Sequence, residues 1–269
     1  MYEKFFGLKE RPFNITPDPR FLYFSDNHRE AMDALTYGIE SRAGFIELVG
    51  EVGCGKTTLC RAVLTRLPHY VETALVLNPC LSETQLMQAI LSDLGCTFRS
   101  RDRLQLIERL NDYLLDKMRK GINVVVILDE AQQMTPALLE QVRLLSNLET
   151  DQQKLMQIVL SGQPELEKRL LEPRLRQLRQ RIMIKCRLKP MNEKDTGEYI
   201  RHRLSVAGSN GSVAFDAAAL RLLHSCARGI PRLVNKLCDR ALLAAYAKET
   251  HQVGRAEALR AIKEMEDLT

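Results

Sequence analysis

Residues 45–57 read FIELVGEVGCGKT, and this stretch decides the predicted fold of the 269-residue chain. Residues 45–49 are a short, mostly apolar run typical of a buried strand, and residues 56–67 read as a helix. Between them, residues 50–57 fit the pattern G-x-x-x-x-G-K-[ST]. The alternative interpretation is a glycine-rich turn that binds no ligand. Because the pattern lies between a predicted strand and a predicted helix, a phosphate-binding loop is the favoured interpretation.

The chemistry expected of this loop follows from its residue types. Glycines let the backbone curl until several N–H groups point at one phosphate, and the start of the following helix attracts anions. We expect Lys56 to reach the β- and γ-phosphates of ATP, and the Thr57 hydroxyl to coordinate Mg²⁺. The predicted nucleotide-binding residues of the loop are Gly50, Glu51, Val52, Gly53, Cys54, Gly55, Lys56, Thr57 and Thr58.

One loop position carries a thiol. Backbone amides and a helix N-terminus around Cys54 are expected to lower the pKa of its thiol. We therefore predict that alkylation of Cys54 blocks ATP binding, which an ATPase assay of protein modified at Cys54 would test. The alternative interpretation is an inert loop position.

A second motif lies well downstream of the loop. Residues 124–128 form a continuous aliphatic run, typical of a central parallel strand buried on both faces, and the run ends in Asp129-Glu130. We expect Asp129 to hold Mg²⁺, directly or through water, and Glu130 to orient and polarise the attacking water. The alternative is a solvated strand end, which the order of the two motifs disfavours.

Strand and helix signals alternate through the middle of the chain and then change. Strands predicted at 45–49, 74–77, 124–128, 155–160 and 182–186 alternate with helices, so we expect a mostly parallel sheet covered on both faces. Beyond Pro190, four helices are predicted at 192–207, 216–227, 231–248 and 255–266, with no strand between them. The predicted domains are an N-terminal arm and helix packed on the core (1–42), an α/β core (43–190) and a helical domain (191–269).

Net charge, cysteine content and the distribution of apolar residues indicate what kind of protein to expect. The net charge of +5 permits contact with nucleic acid or acidic lipid, but a solvated mixed-charge surface is the simpler interpretation. Seven cysteines without a C-x-x-C pair favour a reduced, cytosolic protein without a zinc site. We find no signal peptide and no run of about 18 apolar residues, so a cytoplasmic protein that a partner recruits to the inner membrane is expected.

These motifs, together with the arm and the helical tail, resemble the ATPases of the general secretion pathway protein A type over nearly the whole chain. The most particular part lies in residues 1–40. Matching segments there are Tyr2, Phe5-Phe6-Gly7-Leu8, Pro12-Phe13, Pro17-Asp18-Pro19, His28 and Tyr37-Gly38. Later matches are Gly44-Phe45, the phosphate loop, Ser161-Gly162-Gln163-Pro164-Glu165-Leu166 and Leu178-Arg179-Gln180-Arg181-Ile182.

The resemblance implies an AAA+ fold, with a five-stranded sheet and a helical lid, and further site residues. The first sensor of the γ-phosphate would be Ser161 or Gln163, between which the sequence does not choose. Arg181, just before the fifth strand, matches the arginine-finger position and implies a homo-oligomer in which the arginine acts in trans. Gly229-Ile230-Pro231-Arg232 matches the lid motif in which Arg232 is a second sensor. Longer members continue into a membrane span and a peptidoglycan-binding part, and that role is not carried over.

Two functions remain in competition. The first is an ATPase that powers or regulates assembly of a bacterial secretion, pilus-like or exopolysaccharide/exosortase-associated membrane system, with an inner-membrane protein as its partner. The second is a DNA-dependent AAA+ ATPase of the transposition-helper or initiator kind, for which the basic residues of 168–187 would contact phosphates. DNA is the less favoured partner, because no helix-turn-helix, winged or zinc module follows the helical domain.

Overall fold

The computed structural model describes residues 2–14, 18–77, 80–98, 102–150 and 154–266. Met1 and Pro17 of the family-like N-terminal segment lie outside the described residues. The chain divides into two compact units. An α/β unit comprises His28–Gly50 and Leu59–Leu188, and a mainly helical unit comprises Met1–Asn27, Glu51–Thr58 and Lys189–Thr269.

The elements are numbered in chain order. The helices are α1 Tyr2–Phe5, α2 Asp26–Glu40, α3 Lys56–Leu64, α4 Glu83–Asp93, α5 Arg103–Arg119, α6 Pro136–Leu145, α7 Pro164–Leu170, α8 Arg176–Arg181, α9 Glu193–Val206, α10 Ala217–Ala227, α11 Pro231–Ala247 and α12 Arg255–Glu266. The strands are β1 Phe45–Gly50, β2 Val71–Val76, β3 Asn123–Leu128, β4 Met156–Gly162, β5 Ile182–Leu188, β6 Ala214–Phe215 and β7 Gln252–Val253. Short 3-10 turns span Pro19–Phe21, Ala131–Gln133 and Pro173–Leu175.

The α/β unit is built on a five-stranded sheet in the order β2-β3-β4-β1-β5, and every pairing in it is parallel. Strands β1, β3 and β4 are buried at every residue, which explains why their sequences are mainly apolar. The edge strand β5 alternates between buried and exposed residues. The expected parallel sheet is confirmed, and its parallel pairing places the carboxyl ends of the three central strands side by side.

One strand was predicted too far along the chain. The aliphatic residues at 74–77 suggested a strand there, but β2 begins at Val71, whose register partner is Asn123. The missed residues include Glu72, which hydrogen bonds with Tyr113 and pairs with Lys117 on α5. An edge strand that carries a charged pair lacks the apolar signal on which the prediction depended.

Helix α6 starts as its sequence indicates. Thr135 accepts a hydrogen bond from the Leu138 backbone N–H at 3.2 Å, and Pro136 occupies the first helical position. A capping hydroxyl followed by proline stabilises a helix start, because proline lacks only an N–H that would have no helical partner. The helix therefore begins six residues after Glu130, in a defined direction from the end of β3.

The helical unit contains α9–α12 and a small parallel pair, β6 with β7. The expectation that no strand separates these helices is wrong, because β6 and β7 are strands of two residues each. Two residues cannot show the alternation of apolar and polar residues that identifies a strand in sequence.

The aromatic arm belongs to the helical unit. Tyr2, Phe6, Phe13 and Phe21 lie in one buried cluster with residues of α9, α10, α11 and α12. Arg203 on α9 donates to the carbonyl oxygens of Pro12 at 2.5 Å and Asn14 at 3.0 Å. The predicted segment 1–42 is therefore divided between the units, with residues 1–27 in the helical unit and residues 28–42, which include most of α2, in the α/β unit. The arm supplies large apolar surface to four helices whose own core is rich in small residues.

Within the described residues, no helix is both long enough and apolar enough to cross a membrane.

Candidate nucleotide site

The phosphate loop curls back on itself after β1. Gly53 and Gly55 have φ of +82° and +97°, in the region that favours glycine. The backbone N–H of Cys54 donates to the carbonyl oxygen of Glu51 at 3.2 Å, and the Lys56 ammonium donates to the same oxygen at 3.1 Å. Lys56 is buried, and Thr57 and Thr58 follow it in the first turn of α3. The loop backbone thus holds the Lys56 ammonium by a hydrogen bond at the start of α3.

The loop also contacts the start of α11 inside the helical unit. The backbone N–H of Arg232 donates to the Gly53 carbonyl oxygen at 3.2 Å. A Cβ at Gly53 would lie 2.6 Å from the Arg232 Cβ, which is closer than carbon atoms approach. Arg232 is exposed, and its guanidinium donates no hydrogen bond to any described residue. The second-sensor candidate therefore lies against the phosphate loop with its charged end available.

Cys54 differs from expectation. Its side chain is fully buried, and burial raises the pKa of the Cys54 thiol although the Lys56 charge opposes this. The expected lowering of the pKa of Cys54 is therefore wrong, because desolvation outweighs the nearby positive charge. Alkylation of Cys54 should be slow compared with alkylation of the exposed Cys80.

Asp129 immediately follows β3 and is buried. Its Oδ1 accepts hydrogen bonds from the Ser161 hydroxyl at 2.7 Å and from the Glu130 backbone N–H at 3.0 Å. Ser161 lies near the end of β4, on the neighbouring strand, and is itself fully buried. The serine and the Glu130 backbone thus fix one carboxylate oxygen of Asp129.

Glu130 is held separately. It has φ 55° and ψ 34°, a left-handed conformation that costs roughly 1–3 kcal/mol in a residue with a side chain. Its Oε2 accepts from the Gln132 amide at 2.7 Å and from the Gln163 amide at 3.1 Å. The Gln132 oxygen in turn accepts from the Gln163 backbone N–H at 3.1 Å. Two glutamines therefore fix the direction of one carboxylate.

Sequence reasoning missed Gln132. It lies two residues beyond Glu130, and the 3-10 turn Ala131–Gln133 folds its side chain back to the carboxylate. The sequence offered one signal for Gln132, which is an amide side chain just after the acidic pair. That signal is weak, because an amide in a turn usually faces solvent. The structure also separates the two first-sensor candidates, since Ser161 contacts Asp129 and Gln163 contacts Glu130.

Arg181 lies at the end of the sheet where the strands begin, opposite the carboxyl ends that precede Asp129 and Gln163. It precedes Ile182, which pairs with Phe45 at the start of β1, whereas Gly50 at the end of β1 pairs with Leu188. A strand of six residues spans about 20 Å, at roughly 3.3 Å per residue. Asp129 and Gln163 follow the carboxyl ends of β3 and β4, so Arg181 is separated from both by the length of the sheet.

Residues 168–187 include eight basic side chains, five of which already have a partner in the chain. Arg174 pairs with Glu172, Lys185 with Glu47 and Arg187 with Glu167. Arg169 and Arg181 donate to other acceptors. Among the described residues, Lys168, Arg176 and Arg179 have no such contact. Most of the positive charge of this segment is therefore neutralised or bonded locally.

The chain is similar to known proteins in sequence and in fold. The family model described as an AAA domain matches residues 39–170. General secretion pathway protein A of Aeromonas hydrophila is 47% identical over 254 residues, which cover 94% of this chain and 46% of that protein. The chain thus spans about half the length of this curated relative.

Solved structures show the same fold. The Aeropyrum pernix ORC2 protein, in ADPNP–ADP complexes, superposes with a TM-score of 0.73 at 18% identity, covering 95% of this chain and 72% of that one. The Aeropyrum pernix ORC1 protein in complex with DNA gives a TM-score of 0.66 at 20% identity, covering 96% and 70%. The predicted AAA+ fold, with its five-stranded parallel sheet and helical C-terminal region, is confirmed. The chain has the fold of the AAA+ P-loop proteins and is similar to general secretion pathway protein A over most of its own length.

Proposed function

We propose that this chain binds ATP with Mg²⁺ and hydrolyses it to ADP and phosphate. The observation that carries this proposal is the separate anchoring of Asp129 and Glu130. One carboxylate is fixed by a serine and the next by two amides, so adjacent side chains of the same charge are kept in different orientations. That arrangement suits one group that binds a metal ion and one that orients water.

The residues fit a magnesium–nucleotide group. A carboxylate oxygen from Asp129 and a hydroxyl from Thr57 are hard donors of the kind that Mg²⁺ prefers. A Cβ at Gly53 would lie 2.6 Å from the Cβ of Arg232, so glycine allows the loop to approach the second-sensor candidate closely. When bound, Mg²⁺ offsets negative charge that develops on the phosphoryl oxygens. Lys56 supplies a further positive charge from within the loop.

Glu130 is the proposed general base. Its carboxylate would accept a proton from the attacking water while Gln132 and Gln163 hold Oε2, leaving Oε1 for that water. General-base catalysis contributes about 10²–10⁴ in rate. We assign the first-sensor role to Gln163, because it touches the base, and a supporting role to Ser161, because it touches Asp129.

Arg232 and Arg181 have different proposed roles. Arg232 would act on the nucleotide of its own chain, since it lies against the phosphate loop. Arg181 would act in trans, in a homo-oligomer, because the length of the sheet separates it from the carboxylates of its own chain. An arginine finger contributes about 10³–10⁵ in rate in other nucleotide hydrolases.

The biological role follows from the relative. We propose that this ATPase works in the cytoplasm and powers or regulates assembly of a secretion, pilus-like or exopolysaccharide/exosortase-associated membrane system, through an inner-membrane protein partner. The 47% identity to general secretion pathway protein A supports this role. A DNA-dependent activity has weaker support, because five of the eight basic residues in 168–187 are already bonded within the chain.

The test is steady-state ATP hydrolysis by the wild type, Lys56→Ala, Glu130→Gln and Arg181→Ala over a range of protein concentrations, with and without DNA. We expect wild-type activity per chain to rise with concentration, all three variants to lose it, and DNA to have no effect. Glu130→Gln should still bind ATP, and Lys56→Ala should not. Activity that appears only with DNA would replace this proposal with the DNA-dependent one.

A further inference from the structure

The guanidinium of Arg181 is anchored through one of its three nitrogens. Nη1 donates to the Ser146 hydroxyl at 2.9 Å, to the Asn147 amide oxygen at 2.5 Å and, more weakly, to the Arg143 carbonyl oxygen at 3.4 Å. Nε and Nη2 donate to no described residue. The side chain is therefore fixed at one point, while two N–H-bearing nitrogens remain available.

The anchor is itself well ordered by local bonds. Ser146 ends α6 and is buried, and its hydroxyl donates to the Arg143 carbonyl oxygen at 2.6 Å. With its proton used there, the Ser146 oxygen presents lone pairs to Arg181. The last carbonyls of a helix carry partial negative charge, so the C-terminal end of α6 adds attraction for a guanidinium.

Among the described residues, no acidic side chain forms a hydrogen bond or an ion pair with the Arg181 guanidinium. Glu149 interacts with the Arg181 charge, and it is already paired with Lys154. The Lys154 contact, and more weakly the charge of Arg181, lower the pKa of the Glu149 carboxyl. Arg181 thus remains a cation that is only partly neutralised.

We propose that Ser146 and Asn147 are positioning residues for Arg181, holding Nη1 so that Nε and Nη2 point toward the γ-phosphate of a nucleotide bound by a second copy of the chain. This inference rests on the proposed function. Arginine suits the task because its rigid planar fork can accept an anchor at one nitrogen and bind phosphate oxygens with the others. An unanchored side chain would have to lose its rotamer freedom at each turnover.

The experiment uses two variants of the full chain in one mixture. The acceptor, Arg181→Ala, keeps an intact nucleotide site and lacks the arginine. The donor, Glu130→Gln, keeps the arginine and cannot hydrolyse. The donor then additionally carries Asn147→Ala, Ser146→Ala, Asn147→Asp or, as a matched control, Arg176→Ala. Arg176 is an exposed arginine on the same helix as Arg181, and among the described residues it has no hydrogen bond or ion pair with the anchor.

The parent donor should restore hydrolysis by the acceptor, and the Arg176→Ala donor should restore as much. Asn147→Ala and Ser146→Ala donors should restore about 10- to 100-fold less, the loss expected when a catalytic group is misplaced by about 1 Å. The loss should lie in kcat, with the acceptor's KM for ATP and the donor's thermal unfolding temperature unchanged. Asn147→Asp should restore activity, since a carboxylate oxygen accepts the same bond.

The two proposals fail in different ways. If the parent donor restores nothing at any mixing ratio, the arginine does not act in trans, and the proposed function fails at that step. If the parent donor restores activity and the Asn147→Ala and Ser146→Ala donors match it, only the positioning inference is overturned. A donor that loses thermal stability is replaced by Asn147→Leu and judged by the same kcat.

Discussion

Two arginines at positions that resemble those of phosphate sensors are in different physical states. Arg181, at the end of α8, is tied by Nη1 to the C-terminal end of α6. Arg232, at the start of α11, is exposed, and among the described residues its bond to the phosphate loop is made by its backbone, to Gly53, and not by its guanidinium. The difference indicates that one arginine is oriented before any nucleotide arrives, whereas the other is placed near the loop and left free to adjust.

Replacing Arg181 should have the largest effect. We expect Arg181→Ala to reduce kcat by about 10³-fold or more. Arg181→Lys should lose nearly as much, because one ammonium cannot bond Ser146 and also reach a second chain. Turnover per site at saturating ATP and high protein concentration measures both, with Arg176→Lys as the control. Full activity in Arg181→Lys would show that a single charge suffices and that the anchor has no catalytic use.

Replacing Arg232 should have a smaller effect of a different kind. We expect Arg232→Ala to lower kcat or ATP affinity by about tenfold, the scale of one hydrogen bond to a charged group. Arg232→Lys should retain most activity, because a free side chain acts mainly as a point charge. Titration with a fluorescent nucleotide measures the ATP affinity, and steady-state kinetics measure kcat. If Arg232→Lys were as inactive as Arg181→Lys, the contrast between the two arginines would not hold.

The loop glycine tests the backbone part of the comparison. Gly53→Ala combines a φ of +82° with a Cβ placed 2.6 Å from Arg232. Gly121→Ala is the matched control, with φ +72° and no atom within 4 Å of the new Cβ. The control should lose about 1–2 kcal/mol of unfolding free energy from backbone conformation alone. Gly53→Ala should lose about 1–3 kcal/mol more through crowding, and only it should weaken nucleotide binding.

Urea unfolding of both glycine variants measures the loss of unfolding free energy, and nucleotide titration measures the change in nucleotide affinity. Equal losses of stability in the two would mean that the loop and Arg232 move apart without cost, and that their contact is not a structural constraint.

The smallest effect concerns pH in the helical unit, away from Arg232. The Glu257 carboxylate accepts a hydrogen bond from the Lys248 ammonium at 2.8 Å and another from the Gly254 backbone N–H at 2.9 Å. The Lys248 hydrogen bond is the main cause that lowers the pKa of Glu257 below 4.5. A lowered folded pKa means that this stability is present above about pH 4.5 and is lost as the pH falls through the folded value.

Glu257→Gln should therefore cost less than about 1 kcal/mol of unfolding free energy at pH 7, and the difference from wild type should shrink below pH 4. Glu264→Gln, which removes an exposed pair with Arg260, is the control. Urea unfolding at both pH values measures the change. A difference that stays constant between them would mean that Glu257 acts through packing alone.

Much of the site could be predicted because it lies in consecutive residues. Gly50 to Thr58 and Asp129-Glu130 are read directly, since a loop after a strand and a carboxylate after a strand each depend on local geometry. The mostly apolar sequence of β1, the aliphatic run of β3 and the Thr135-Pro136 start of α6 could be recognised in the same way. These features depend on backbone curvature, capping and burial of a single element, all of which leave a pattern in neighbouring residues.

Tertiary structure decided the rest, because it joins residues that are far apart in the chain. The anchor of Arg181 joins residues 35 positions apart, and the bond from Gln163 to Glu130 spans 33. The pKa of Cys54 rose where local charge predicted a fall, because burial depends on every element that surrounds the thiol. The aromatic arm joined the helical unit for a similar reason. Its sequence shows that it must pack, but only the three-dimensional fold determines which apolar surface it covers.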